Sequence, residues 1–151
     1  MRSRKCAAQN SRMAFPGARK IATIELRTDR DVARARSRVS EAMRERGARD
    51  LMVTRFVTAV SEIARNAAIH GQGGKLSIYD LPEAHLIGVE CIDEGQGISD
   101  LEKAMVDGFS TRTGSMGRGL GGAKRLAHSF TISSTPGKGT AVHMTGLCTR
   151  K

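Results

Sequence analysis

The sequence predicts an α/β fold of the α+β kind: a two-layer sandwich in which helices cover one face of a mixed, mostly antiparallel sheet. Three observations carry that expectation. Two pairs of strand-like segments are each joined by a short Pro-containing turn, so strands pair as hairpins. Two long segments place apolar residues three and four apart, as in a helix with one buried face. The chain has 151 residues with 39% hydrophobic content, enough for one domain with its own core. Its aromatics are only Phe15, Phe56, Phe109, Phe130 and Tyr79, so Ile, Leu, Val, Met and Ala must build that core.

Residues 1–20 are polar and basic and are broken by Pro16-Gly17. They are expected to be a disordered extension, followed by the domain over 21–147 and a tail over 148–151. Met13 is an alternative start. Residues 21–27 alternate and suit an edge strand. Thr28 or Asp29 can cap the helix that follows. Its stripe is Val32, Ala35, Val39, Ala42 and Met43, and Gly47 ends it. Asp50 can cap the second helix. There Val53, Phe56, Val57, Val60, Ile63, Ala64 and Ala67 form the buried face, and Gly71-Gln72-Gly73-Gly74 terminates it after His70. Residues 75–81 and 85–92 read as a hairpin about Pro82-Glu83-Ala84. Residues 100–106 suit a short helix, 107–117 a loop rich in Gly, Ser and Thr, and 120–127 a helix. The last strand pair is 130–134 and 140–144, about Pro136-Gly137-Lys138-Gly139.

No apolar run approaches the ~20 residues of a membrane helix, and the basic N-terminus lacks an apolar signal core. A cytoplasmic protein without a membrane partner is expected. The net charge is +10, and residues 1–20 supply six of it through Arg2, Arg4, Lys5, Arg12, Arg19 and Lys20. Most of the remaining excess lies on residues 30–49. Such charge can attract nucleic acid or an acidic partner, or simply solvate a tail and a helix face. Aromatic stacking platforms are missing, so a nucleic-acid partner is not expected. Cys6, Cys91 and Cys148 form an odd, widely spaced set, which argues against a disulfide framework or a zinc site. Cys91 reads as a small core residue. His70, His85, His128 and His143 lack ligand spacing, so no metal site made of protein ligands alone is expected.

Three separated pieces can converge on one nucleotide pocket. Asp93 ends an apolar strand-like segment, where its carboxylate can accept a hydrogen bond from the exocyclic amine of adenine. Gly95 and Gly97 carry no Cβ and let backbone lie flat on a planar ring. Gly117, Arg118, Gly119, Leu120 and Gly121 can wrap backbone N–H groups round a polyphosphate ahead of a helix start. Ser110 and Thr111 lie in the preceding loop, which can close as a lid. Glu62 and Asn66 are one helical turn apart and point the same way. Asn66 offers a neutral oxygen to Mg²⁺, an ion that keeps waters and takes phosphate oxygens. Glu62 can orient a hydroxyl nucleophile and accept its proton. Thr140, after Gly137-Lys138-Gly139, can hydrogen-bond the base or Asp93. Taken singly, Glu62 and Asn66 also fit an exposed helix face, Asp-x-Gly-x-Gly a turn, and His70 a plain C-cap. Residues 117–122 match the dinucleotide pattern G-x-G-x-x-G, but a polar loop precedes them and no acidic residue follows ~20 positions on. No Walker A sequence is present.

The order of the set resembles the GHKL ATPase family, whose fold is the Bergerat ATP-binding fold, over about residues 21–145. Residues 61–66 resemble its N box, 93–97 its G1 box, 117–121 its G2 box and 137–140 its last Gly-x-Gly-Thr element. Within the family, residues 62–66, 107–111 and 119–126 resemble the anti-sigma factor kinases, and most of all the switch serine/threonine kinases of the stressosome. The resemblance implies ATP and Mg²⁺ as ligands. It implies phosphorylation of Ser or Thr on STAS-domain antagonist or scaffold proteins, and activation of a PP2C-type phosphatase by the released protein. An anti-sigma factor that sequesters a sigma factor and phosphorylates its antagonist is the alternative. A histidine-kinase catalytic domain fits less well, because no dimerisation helix with an acceptor His precedes it. The basic extension and residues 145–151 depart from the switch-kinase pattern.

Overall fold

The computed structural model describes residues 15–98, 105 and 119–149. Its elements are β1 (Arg19–Leu26), α1 (Asp29–Glu45), α2 (Asp50–Ile69), β2 (Gly74–Leu81), a 3₁₀ turn (Pro82–Ala84), β3 (Leu86–Asp93), α3 (Gly119–Leu126), β4 (Ser129–Thr135) and β5 (Gly139–Leu147). The sheet order is β1-β2-β3-β5-β4. Each pairing among the described strands is antiparallel. The sheet expected to be mixed and mostly antiparallel is thus antiparallel throughout these residues. The physical reason is the β4–β5 hairpin. Strands β3 and β4 run the same way, but the tight turn brings β5 back between them.

Period-two alternation separates the faces. Ile24, Leu76, Cys91, Val142 and Ile132 line up across the five strands and pack with the helices into the core. One position along, Thr23, Ser77, Glu90, His143 and Thr131 form a polar row on the other face. Two contacts close that row: Thr23 Oγ1 to Ser77 Oγ at 3.2 Å and His143 Nε2 to Glu90 Oε2 at 2.9 Å.

The helices follow their stripes. Thr28 caps α1 in a capping box: its side chain accepts from the Asp31 N–H, and Asp31 Oδ2 accepts from the Arg27 and Thr28 N–H groups at 3.0 and 3.1 Å. All five stripe residues of α1 are buried. Helix α2 buries Val53, Phe56, Val60, Ile63, Ala64 and Ala67 as expected. Asp50, expected as its cap, is instead the first helical residue; Arg49 stands at the cap with no side-chain bond. The Asp50 carboxylate is drawn off by Arg44, 2.5 Å away. His85, expected to begin a strand, sits at φ +56° and closes the turn before β3.

Residues on either side of the expected 21–147 pack with the described elements. Phe15 is buried. Its ring lies 5.3 Å from that of Tyr79 and edge-on to His143 at 5.9 Å, over Gly88, where an added Cβ would come within 2.9 Å of it. Arg19 and Lys20, placed in the extension by sequence, start β1. Cys148, placed in the tail, is buried and donates its N–H to the His85 carbonyl at 2.8 Å. Residues 1–14 and the expected helix at 100–106, apart from residue 105, lie outside the described residues.

Candidate functional site

The site is built where α2 ends above the end of β3. Helix α2 runs along β3 and its neighbour β5. Phe56 fills the space left by Gly146. One stretch further, the Ile63 carbonyl accepts from Cys91 Sγ at 3.8 Å. Past the helix end, Gly71 meets Asp93: a Cβ on Gly71 would overlap the Asp93 carboxyl group. The Asn66 carbonyl fixes this end by accepting from the His70 and Gly71 N–H groups at 2.8 and 3.0 Å. His70 is therefore the C-cap, as its plainer reading had it. The backbone of Asn66 is one hydrogen bond from the residue that abuts Asp93.

Asp93 is half-buried. Its Oδ1 accepts from the Gly95 N–H at 3.0 Å, and Thr140 faces it across the β3–β5 pair. Burial pushes the carboxyl above its ordinary range, while the Gly95 and Thr140 N–H groups hold part of that shift back. A carboxylate has about four lone-pair sites, so acceptor capacity remains for a ligand.

Gly95 and Gly97, expected to lie on a ring, are glycine for a reason of packing. A Cβ on Gly95 would stand 2.5 Å from Gly71 Cα, and one on Gly97, at φ +74°, would strike the Thr135 carbonyl. Loop 94–98 thus hangs on the β4–β5 hairpin. Gly137 donates its N–H to the Gln96 carbonyl at 2.7 Å, and Ile98 donates its N–H to Ser134 Oγ at 2.7 Å. Ser134 Oγ also reaches Thr140 Oγ1 at 2.9 Å and donates to the Gly139 carbonyl at 3.1 Å. Sequence reasoning placed Thr140 beside Asp93 and Gly139 in the turn before it, but missed Ser134 and the approach of Gly71 to Asp93. Setting the hairpin about its tight turn would have found Ser134, which pairs with Thr140.

Glu62 and Asn66 are not exposed helix residues. Glu62 is 3% exposed, and Arg65 Nη1 lies 3.6 Å from its Oε1. Asn66 is half-buried. Gly119, Leu120 and Gly121 begin α3 and are buried there with Gly122 and Ala123, on the helix packed against α2. The Leu120 side chain belongs to the core, which leaves its backbone for any ligand. Ser110, Thr111, Gly117 and Arg118 lie outside the described residues. Among the described residues, no group of three or more His, Cys, Asp or Glu is arranged to hold a metal, and no helix is long and apolar enough to cross a membrane.

A family model described as "Histidine kinase-like ATPase domain" matches residues 25–146. The chain is 36% identical over 121 residues to the serine/threonine-protein kinase RsbT of Bacillus subtilis (strain 168), covering 79% of this chain and 90% of that one. It is 42% identical over 93 residues to an anti-sigma F factor of Thermoanaerobacter sp. (strain X514), covering 58% of this chain and 65% of the factor. Among solved structures it is similar to the RsbU and RsbW domains of a Mycobacterium tuberculosis protein. That likeness has a TM-score of 0.58 at 20% identity and covers 84% of this chain and 32% of the other. At that identity it speaks for the fold.

Proposed function

The chain belongs to the histidine kinase-like ATPase domain family, and we propose that it is an ATP-dependent serine/threonine protein kinase of a partner-switching pathway. The observation that carries this reading is the junction just described: the end of the helix bearing Glu62 and Asn66 is packed onto Asp93. Adenine recognition and phosphate chemistry then share one rigid frame.

In this reading Asp93 accepts the exocyclic amine of adenine, and the backbone of 95–97 follows the ring. Gly119 and Gly121 present backbone N–H groups to phosphate, helped by Ser110, Thr111, Gly117 and Arg118. The donor set suits Mg²⁺. Asn66 offers one hard oxygen beside the Glu62 carboxylate, which fits an ion that takes its remaining ligands from phosphate and water. When bound, Mg²⁺ neutralises charge on the phosphate oxygens. Glu62, desolvated and flanked by Arg65, orients the acceptor hydroxyl and takes its proton. Catalysis is positioning and charge neutralisation with no covalent enzyme intermediate.

The similarity to a serine/threonine-protein kinase over nearly that protein's full length supports Ser or Thr as the acceptor. We assign the acceptor to a cytoplasmic STAS-domain protein, and the released kinase to activation of a PP2C-type phosphatase. The similarity to an anti-sigma F factor supports a second reading, in which the chain also holds a sigma factor. Affinity capture with the tagged chain separates the two. Recovery of a phosphatase supports the switch kinase, and recovery of a sigma subunit in its place supports the anti-sigma factor.

A further inference from the structure

A second surface lies on β1, two strands from Asp93 in the sheet order. A groove of about 510 Å³ runs between β1 and α1, lined by Ala22, Thr23 and Ile24 on one side and by Arg30, Arg34 and Arg38 among the residues on the other. Strand β1 is the edge of the sheet and pairs only with β2 among the described strands. Its register shifts between Lys20 and Ala22 and is regular from Ala22 to Leu26. An unprotected regular edge is a template for one more strand. The bulge blunts its first part, and among the described residues no strand pairs with the outer side of the stretch that faces the groove.

We propose that this groove takes an extended acidic segment of a partner protein, which adds to β1 as a further antiparallel or parallel strand. The arginines recur every four residues along α1, about 6 Å apart at the helical rise. Alternate residues of an added strand repeat at about 6.8 Å. Acidic side chains at every second position of the segment therefore meet successive arginines, while its backbone pairs with Ala22–Ile24. The arginines are available. Arg30 is exposed. Among the described residues, Arg34 and Arg38 make surface pairs with Asp31 at 3.5 Å and Glu41 at 3.3 Å, of a kind that contributes little. Glu41 is the one acid in the lining.

Charge chooses the occupant. The chain's own residues 1–14 carry Arg2, Arg4, Lys5 and Arg12 and no acid, so they are repelled. A second copy paired through β1 would set two arginine rows together. A nucleic acid would satisfy the arginines but has no strand backbone to offer the sheet edge. The proposal is independent of the kinase reading, because it needs neither nucleotide nor Asp93.

The test uses the full chain and a fluorescein-labelled peptide, Thr-Glu-Val-Glu-Val-Glu-Thr, with its Lys-for-Glu analogue as control. Anisotropy should show saturable binding of the Glu peptide alone, and hydrogen exchange should slow at amides of residues 22–26. The triple variant Arg30→Gln/Arg34→Gln/Arg38→Gln, with its circular dichroism unchanged, should bind at least 10-fold more weakly. Should the triple variant lose its fold, Arg34→Glu alone, a side chain 66% exposed, should weaken binding at least threefold. Absence of binding at millimolar peptide overturns the proposal. So does binding that leaves β1 exchange unchanged, and so does equal competition by a single-stranded oligonucleotide, which would mark a general anion site.

Discussion

Gly71 and Asp93 touch so closely that the glycine's missing side chain is the space the carboxyl group occupies. One residue follows the C-cap of the helix that carries Glu62 and Asn66; the other ends the central strand β3. Gly95 packs on Gly71 from the loop side, and Gly139 packs on the Asp93 backbone from β5. The carboxylate is thus held among backbone atoms, with little freedom to turn.

Replacing Gly71 should therefore damage nucleotide binding without touching the nucleotide. For Gly71→Ala we expect at least about a 10-fold loss of ATP affinity and about 1–3 kcal/mol of stability, the usual cost of overpacking. Titration calorimetry and urea unfolding measure the two. Unchanged ATP affinity would show that Asp93 is positioned by other contacts.

Asp93→Asn separates binding from stability. The folded-state pKa of Asp93 is raised above 3.8 by burial, so the native state holds this proton more tightly than the unfolded chain. Its contribution to stability is then most favourable below 3.8 and declines as pH rises through the folded value. The Asn variant lacks that decline. Relative to the parent its stability should rise with pH across that window, while its ATP affinity falls at least about 10-fold, or ~1.4 kcal/mol. Urea midpoints on either side of the window check the sign. A variant that binds ATP as well as the parent removes Asp93 from the adenine role.

Glu62 and Asn66 should fail differently. Glu62→Gln keeps the shape of a buried side chain, so ATP affinity should stay within about threefold while transfer falls by about 10²-fold or more, the usual effect of losing a general base. Asn66→Ala should raise the Mg²⁺ concentration needed for half-maximal ATP binding by at least about 10-fold, one ligand being lost. If Glu62→Gln instead abolishes ATP binding, Glu62 is a structural acid paired with Arg65.

The cap of α1 offers a control remote from the site. Thr28→Ala should cost about 1 kcal/mol, read as a lower urea midpoint with transfer rate unchanged. The Asp31 half of the box is held below its ordinary pKa, first by the Arg27 N–H. Its contribution is present above 3.8 and should be lost as pH falls through the folded value, and Asp31→Asn should flatten that acid limb.

Much of this was legible in the sequence because it rests on local rules. The stripe from Val32 to Met43 and the two hairpin turns follow from periodicity and turn chemistry, and the Glu62–Asn66 pair from the helical repeat. What could not be read is set by contacts between elements. The burial of Glu62 depends on how α2 lies against the sheet and α3. Gly71 read as a helix terminator, and only its approach to Asp93 shows why a Cβ is excluded. Phe15 sits in a basic, Pro-Gly-broken stretch that looked unable to fold, yet Gly88 leaves a seat for its ring. Asp50 is a good capping residue by type, but Arg44 competes for its carboxylate.

The central claim is transfer of phosphate to a protein hydroxyl, and intact mass spectrometry tests it most directly. The chain is mixed with Mg-ATP and a STAS-domain protein encoded beside it, with Glu62→Gln run in parallel. The account predicts a gain of one phosphate on a Ser or Thr of the STAS protein with the parent chain and none with the variant. ATP bound but no phosphate gained, or an equal gain with both proteins, would contradict it.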